Sequence, residues 1–288
     1  MGPLGKVHCL GRPELDLADP GSVRDGIRRL APDLLINAAA YTSVDQAESE
    51  PDLAMKINGE APGIMAEEMK RSGGLLVHYS TDFVYDGSGE APWLESSPAA
   101  PLNAYGAGKL AGDHAVSAAA GAYLIFRTSW VYGARGRNFL RTVLRLAESG
   151  KPLRIVDDQI GSPTWSRDIA TATALVIKQL SQAAAGSGSL GMAARDVNGV
   201  YHMSSNGFVS WRQFACAIID ERRHLGMDCG QAPQVVPITS AEYPTPARRP
   251  KNSRLSNAKL EATFGLSLPE WRDSLRLVMQ EVAASQAG

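Results

Sequence analysis

The stretch Leu75-Leu-Val-His-Tyr-Ser-Thr-Asp82 constrains this chain more than any other. An apolar run that ends abruptly in hydroxyl and carboxylate side chains reads as a buried strand. In open α/β sheets ligands gather at the carboxyl ends of the strands, which is where Thr81 and Asp82 fall. A second stretch, Asn103-Ala-Tyr-Gly-Ala-Gly-Lys-Leu-Ala-Gly112, opens an alanine-rich helical segment. The spacing of four sets Tyr105 and Lys109 on one helix face, one turn apart.

That arrangement has a chemical reading. A phenol ionises near pH ~10, and a neighbouring ammonium stabilises the phenolate and lowers that value. A hydroxyl such as Thr81 then shares a substrate oxygen with Tyr105, which suits proton donation to a carbonyl while a hydride reaches its carbon. In the bland alternative, Tyr105 covers a helix surface and Lys109 is solvated. The order of strand, proline-punctuated loop and helix favours the chemical reading.

Composition narrows the class. A chain of 288 residues, 44% hydrophobic and 20% charged, supports a sizeable core in one large domain or two sharing a cleft. A formal net charge of −1 gives no nucleic-acid footprint and no polybasic membrane surface. No apolar run approaches the roughly 20 residues that span a bilayer, and the first residues lack a signal-peptide core. Cys9, Cys216 and Cys229 are scattered and read as reduced thiols, so a cytoplasmic location is expected. The five histidines form no metal-ligand set, so no metal site is predicted.

In chain order, residues 6–10 are a strand candidate and residues 19–30 a helix with Asp19 or Ser22 at its cap. Residues 33–40 form an apolar strand ending in small residues, and residues 50–72 are helical by pattern. This alternation predicts βαβ units and a parallel sheet. A strand is expected over residues 123–132, helices over 139–147 and 166–180, and a mobile linker over 182–198. The remaining elements are a strand over 199–205, a helix over 210–224, a short strand over 235–238 and a helix over 269–284.

Taken in order, these motifs resemble the extended short-chain dehydrogenase/reductase superfamily and, within it, the dTDP-4-dehydrorhamnose reductases. The likeness rests on Asn37-Ala-Ala-Ala-Tyr-Thr-Ser-Val-Asp-Gln-Ala-Glu48, His78-Tyr-Ser-Thr-Asp82, the Tyr105 segment and Phe126-Arg-Thr-Ser-Trp-Val-Tyr132. Asp158-Gln-Ile-Gly-Ser-Pro-Thr164 and Ala247-Arg-Arg-Pro-Lys-Asn-Ser-Arg-Leu255 extend it. It implies a Rossmann-like doubly wound parallel sheet with a smaller C-terminal substrate-binding lobe. The division expected is residues 1–133 with returns near 153–205 for the dinucleotide domain, and 134–152 with 206–288 for the lobe.

The implied reaction is reduction of the 4-keto group of dTDP-4-dehydro-β-L-rhamnose by NADPH or NADH. Thr81 and Tyr105 would hold the keto oxygen, Tyr105 would give the proton, and Lys109 would bind the nicotinamide ribose and lower the Tyr105 pKa. Asp82, Trp130 and Arg249 are expected at the substrate. Arg12, Asp16, Leu17, Ala38, Ala39, Ala40, Tyr41 and Thr42 are expected at the cofactor. On sequence alone Trp130 reads first as a core aromatic and the basic loop over residues 248–254 first as solvated, and Asp16 reads also as a turn cap.

The chain departs from the family at its start. No Gly-x-x-Gly-x-x-Gly turn precedes Leu10, although that turn normally cradles the pyrophosphate. Weak or absent cofactor binding and lowered stability are therefore expected of this polypeptide. A non-catalytic protein of the same fold, like the regulatory subunit of methionine adenosyltransferase, is the alternative from another class. Another nucleotide-sugar reductase or epimerase is a third. Mg²⁺ is not supported by the sequence, and a monomer or weak homodimer is expected.

Overall fold

The computed structural model describes residues 4–227 and 233–287, so Cys229 lies outside the described residues. After helix α1 (Pro20–Leu30), strand β1 (Leu34–Asn37) leads into α2 (Val44–Ala47), α3 (Pro51–Met55) and α4 (Ala61–Ser72). Strand β2 (Leu75–Thr81) is followed by α5 (Ala104–Ala118), β3 (Ala122–Thr128), β4 (Val131–Tyr132) and α6 (Phe139–Ala147). Next come β5 (Leu153–Val156), β6 (Ile160–Gly161), β7 (Thr164–Trp165), α7 (Ser166–Ser187), α8 (Leu190–Ala193) and β8 (Gly199–His202). The chain closes with β9 (Val209–Ser210), α9 (Trp211–His224), β10 (Val235–Ile238), β11 (Asn252–Ser253), α10 (Ala258–Phe264) and α11 (Trp271–Ala287).

The main sheet runs β1-β2-β3-β8 and is parallel throughout. Alternation along its strands decides what each helix layer meets. Leu75, Val77, Leu124 and Phe126 face α7 and α10 through Ile169, Val176, Leu260 and Phe264. Leu76 and Ile125 face α1, α4 and α5 through Ile27, Met65 and Val116. Helices on both faces make the sheet doubly wound, as expected.

A second cluster lies apart from the sheet. It gathers Leu140, Val143 and Leu144 of α6, Leu153 of β5, Phe214 and Ile218 of α9, and Leu275 and Val278 of α11.

Several expectations are corrected. Residues 6–10 form no strand, and β1 is an edge of the main sheet. Strand β2 occupies the other side of β1, and the described residues offer no strand to lie between residues 6–10 and β1.

The strand expected over residues 123–132 breaks after Thr128, because Trp130 adopts φ +47° and turns β4 away to pair with β7. The expected linker is structured. Helix α7 continues to Ser187, and α8 packs Gly191 so closely that an added Cβ would lie 2.2 Å from the Gly73 carbonyl oxygen.

The expected division also shifts. Strand β5 pairs with β10 and places Leu153 in the second cluster rather than on the main sheet. Helix α10, expected in the lobe, packs Leu260 and Phe264 on the main sheet.

Segment 51–72 is one helical run interrupted by a π turn over Lys56–Glu60. The widened turn buries Asn58, whose Oδ1 accepts from the Tyr41 amide at 2.8 Å while its Nδ2 donates to the Tyr41 carbonyl at 3.0 Å. The loop after β1 is thereby tied down. Helix α5 crosses this turn through Gly108 and Gly112, and a Cβ on Gly112 would meet the Asn58 carbonyl oxygen at 2.2 Å.

Alanine normally favours a helix interior by ~1 kcal/mol over glycine. Gly112→Ala is nevertheless expected to destabilise by about 1–3 kcal/mol, because backbone must move. Urea unfolding checks this. A variant as stable as the parent would show that α5 can retreat without cost.

Candidate active site

Thr81 ends β2 and caps the short 3₁₀ turn Asp82–Val84, its Oγ1 accepting from the Phe83 amide at 3.2 Å. Asn103 caps α5 by accepting from the Gly106 amide at 2.8 Å. Its Nδ2 donates to the Arg248 carbonyl at 2.7 Å, so the helix start is fastened to the basic loop. Close approach does the rest. A Cβ on Gly106 would lie 2.3 Å from the Phe83 carbonyl oxygen, so only glycine lets α5 seat Tyr105 beside the end of β2.

Tyr105 is half-buried and edge-on to Phe83 at 5.6 Å, with Thr81 beside its phenol, while the Thr81 hydroxyl donates to Asp82 Oδ1 at 3.1 Å. Burial pushes the Tyr105 pKa up to about 12, Thr81 pulls it down, and the carboxylates of Asp82 and Asp113 push up further. The lowering expected from Lys109 is absent. Lys109 turns inward, donating to the Tyr79 carbonyl at 2.6 Å with His78 Nε2 at 3.3 Å, and burial lowers its own pKa to about 8.

Asp82 is buried, and burial lifts its pKa to about 6 against bonds from Ser253 and Thr81. Its Oδ2 has no hydrogen-bond partner, an acceptor left open at the strand end. A carboxyl whose pKa is raised on folding contributes stability below its unfolded value near 3.8 and loses it as pH rises through about 6. Asp82→Asn is therefore expected to gain on the order of 2 kcal/mol at about pH 7.5, with the gain vanishing towards about pH 4. Melting curves across that range test it, and a pH-independent difference would remove Asp82 as the cause.

A cavity of about 940 Å³ opens beside Phe83 and is lined by Trp130, Gln159, Trp211, Arg248 and Arg249 among others. Trp130 stacks on Trp211 with ring centroids 3.6 Å apart, and Phe139 tilts against Trp211 at 4.5 Å. Gly161 leaves room for the indole, since a Cβ there would lie 2.6 Å from Trp130. Trp130 is thus both half-buried and cavity-lining, which merges the two readings of it.

Arg249 lines the same cavity, but its guanidinium is engaged. It makes a bidentate pair with Asp45 at 3.0 and 2.8 Å and donates to the Ala247 carbonyl at 3.0 Å. Lys251 pairs with Asp158 at 3.1 Å, and Arg254 donates to Asn252 Oδ1 at 3.0 Å. Arg248, exposed at the cavity, has its side chain available. Trp211 and Phe139 line the cavity but were not singled out from sequence, because an aromatic in a helical pattern carries no sign of which face lines a cavity; Gln159, in the polar turn before β6, carries no such sign either.

The expected cofactor residues fall in two groups. Ala38 and Ala39 are exposed just past β1, with Ala40 and Tyr41 half-buried and Thr42 exposed. Tyr41 also donates to Glu50 at 2.7 Å. In the earlier segment, Asp16 caps a turn by accepting from the Ala18 amide at 3.0 Å and lies 3.7 Å from Arg12. Leu17 packs in the cluster that contains Leu35 of β1. The small residues that follow β1 leave backbone open to close approach. A glycine-rich turn for the pyrophosphate is not found among the described residues.

With this geometry in place, comparison with known proteins is direct. The model of the RmlD substrate binding domain matches residues 3–284. A dTDP-4-dehydrorhamnose reductase of Burkholderia thailandensis is 46% identical over 98% of this chain and 93% of its own length. The chain belongs to the dTDP-4-dehydrorhamnose reductase family. The Escherichia coli K12 member is 39% identical over 94% of this chain and 87% of its own.

Among solved structures, the Bacillus anthracis reductase in complex with NADP superposes with a TM-score of 0.84 at 32% identity. That match covers 96% of this chain and 90% of the other. The Clostridium acetobutylicum member gives 0.85 at 34% identity, with the same two coverages. No helix among the described residues is long and apolar enough to cross a membrane.

Proposed function

We propose that this chain reduces the 4-keto group of dTDP-4-dehydro-β-L-rhamnose to give dTDP-L-rhamnose, as its relatives are named for doing. The reading is carried by Thr81 and Tyr105 meeting at the carboxyl end of β2, with Phe83 joining them to the aromatic-lined cavity: it follows Thr81 on the 3₁₀ turn, stands edge-on to Tyr105 and lines that cavity. A phenol held at about 12 stays protonated at neutral pH and is a donor, which fits reduction. NADPH, the dinucleotide type seen on the Bacillus anthracis relative, supplies the hydride when bound.

The chain's own groups do the remainder. Thr81 and Tyr105 hold the keto oxygen, and Tyr105 delivers its proton there. The Thr81 hydroxyl then stabilises the phenolate left behind. Lys109 and the backbone of Ala38–Ala40 hold the ribose that faces Tyr105. Trp130 and Trp211 wall the sugar's site, and Asp82, buried behind Thr81 with an unpartnered oxygen, is assigned to a sugar hydroxyl. Arg248 meets the diphosphate through charge-assisted bonds. Arg249 contributes by fixing the loop that carries Arg248, through its pair with Asp45. Arg12 lies in the segment that would meet the adenosine half, as would Asp16 and Leu17.

Loss of NADPH absorbance on adding dTDP-4-dehydrorhamnose tests the reading. Turnover is expected with the folded chain. A folded chain that binds NADPH and the nucleotide sugar yet consumes neither would overturn it.

A further inference from the structure

Behind the Thr81–Tyr105 pair, Lys109 belongs to a buried charged cluster whose other members have no part in the proposed reaction. Alternation along β2 and β3 sends His78 and Arg127 to the α5 face, the same face as Leu76 and Ile125. Lys109 and Asp113 project from α5 one turn apart and meet them there. His78 is 0% exposed, Asp113 1%, Lys109 2% and Arg127 5%, so none of these groups is relaxed by water.

The contacts have a direction. Arg127 Nε donates to Asp113 Oδ2 at 2.9 Å, and its Nη1 donates to the Tyr85 hydroxyl at 2.9 Å. Asp113 Oδ1 has no hydrogen-bond partner and lies 4.0 Å from His78 Nε2. That same nitrogen is 3.3 Å from Lys109 Nζ. Asn37 fixes the imidazole. Its Oδ1 accepts from the Ala39 amide at 3.3 Å, which turns its Nδ2 towards His78 Nδ1 at 3.1 Å. The Nε2 edge of His78 therefore stands between the Lys109 ammonium and the unpartnered Asp113 oxygen, and the ring itself brings no negative charge to the lysine.

We propose that Asp113 is the counter-ion and positioning residue of Lys109, held by Arg127 through one oxygen and facing the lysine across His78 with the other. The proposal rests on the reading of Lys109 as the ribose-binding lysine. An ammonium buried this deeply sheds its proton unless an opposite charge is near. Burial lowers Lys109, and the Asp113 carboxylate is the group that raises it.

The other groups around the lysine do not replace that charge. Tyr79 gives only its carbonyl, His78 is kept neutral by burial and by Lys109 itself, and Arg127 is a cation. Tyr105 stays protonated, and Asp82 lies beyond it on the 3₁₀ turn, bonded to Thr81 and Ser253. Asp113 is pushed up by its burial and brought down by Arg127, by the Ser80 hydroxyl and by Lys109. The α5 helix thus carries both the lysine assigned to the ribose and, one turn on, the charge that keeps it an ammonium.

The test is an NMR titration of the Lys109 ε-carbon in ¹³C-lysine-labelled, cofactor-free chain, assigned with Lys109→Arg. The parent midpoint is expected at about 8. Asp113→Asn is expected to lower it by about one pH unit or more, and Asp113→Glu to restore it. Because Asn leaves Arg127 as an unpaired buried cation, Asp113→Leu/Arg127→Met is titrated as well. Replacing a buried ion pair by apolar volume commonly preserves folding, and the midpoint must fall there too.

A midpoint that stays in place in either variant overturns the proposal. NADPH fluorescence titrations of the parent separate the two readings. No NADPH binding with a shifted midpoint removes the ribose role and keeps the counter-ion. Binding with an unshifted midpoint does the reverse.

Discussion

Tyr105→Phe is expected to cut NADPH-dependent turnover of dTDP-4-dehydrorhamnose by about 10²–10⁴-fold, the range associated with losing a positioned acid. The variant keeps the ring that meets Phe83 edge-on at 5.6 Å, so the packing of α5 on the 3₁₀ turn persists. Only the phenol oxygen goes, and with it its polar interaction with Thr81. Stability should change by no more than about 1 kcal/mol, the worth of one hydrogen bond. Steady-state kinetics beside a urea melt make the separation. Turnover within tenfold of the parent, at unchanged stability, would mean that another group or water delivers the proton.

The second large effect concerns the core apart from the sheet. Phe214→Ala is expected to destabilise by about 3–5 kcal/mol, as for other fully buried aromatic truncations. Phe214 is 0% exposed, stands edge-on to Tyr132 at 5.1 Å and Trp271 at 6.0 Å, and stacks with Phe139 at 5.6 Å. Through Phe139 and Trp211 the loss reaches the wall of the cavity. Hydrogen exchange should lose protection first in α6, α9 and α11, with β2 and β3 retaining theirs. Uniform loss across both cores would show that the molecule unfolds as one unit despite its two clusters.

Much of the fold was legible because the signals are local. The helix over residues 139–147 appears with those bounds, capped by Asn138, since its apolar positions repeat at the helical period. Ser210 caps α9 through a capping box with Gln213, a pattern readable four residues at a time. The strand over residues 6–10 was misread because alternation and apolar content do not make a strand without a neighbour to bond. Trp130 broke a continuous strand pattern because its left-handed backbone is set by the packing of its indole between Gly161 and Trp211. No propensity announces that. Residues 182–198 looked like a linker by composition, yet their small residues are what let α8 lie against Gly73.

The sequence by itself determined the parallel sheet, the family and the placing of Thr81, Tyr105 and Lys109, because period, spacing and motif order are properties of the chain. Tertiary structure alone decided what those residues face. It turned Lys109 inward to Tyr79 and His78, spent Arg249 on Asp45 while leaving Arg248 available, and raised the Tyr105 phenol instead of lowering it. These outcomes depend on burial and on partners as far apart in the chain as residues 45 and 249. A one-dimensional pattern carries neither the dielectric around a charge nor the distance to its partner.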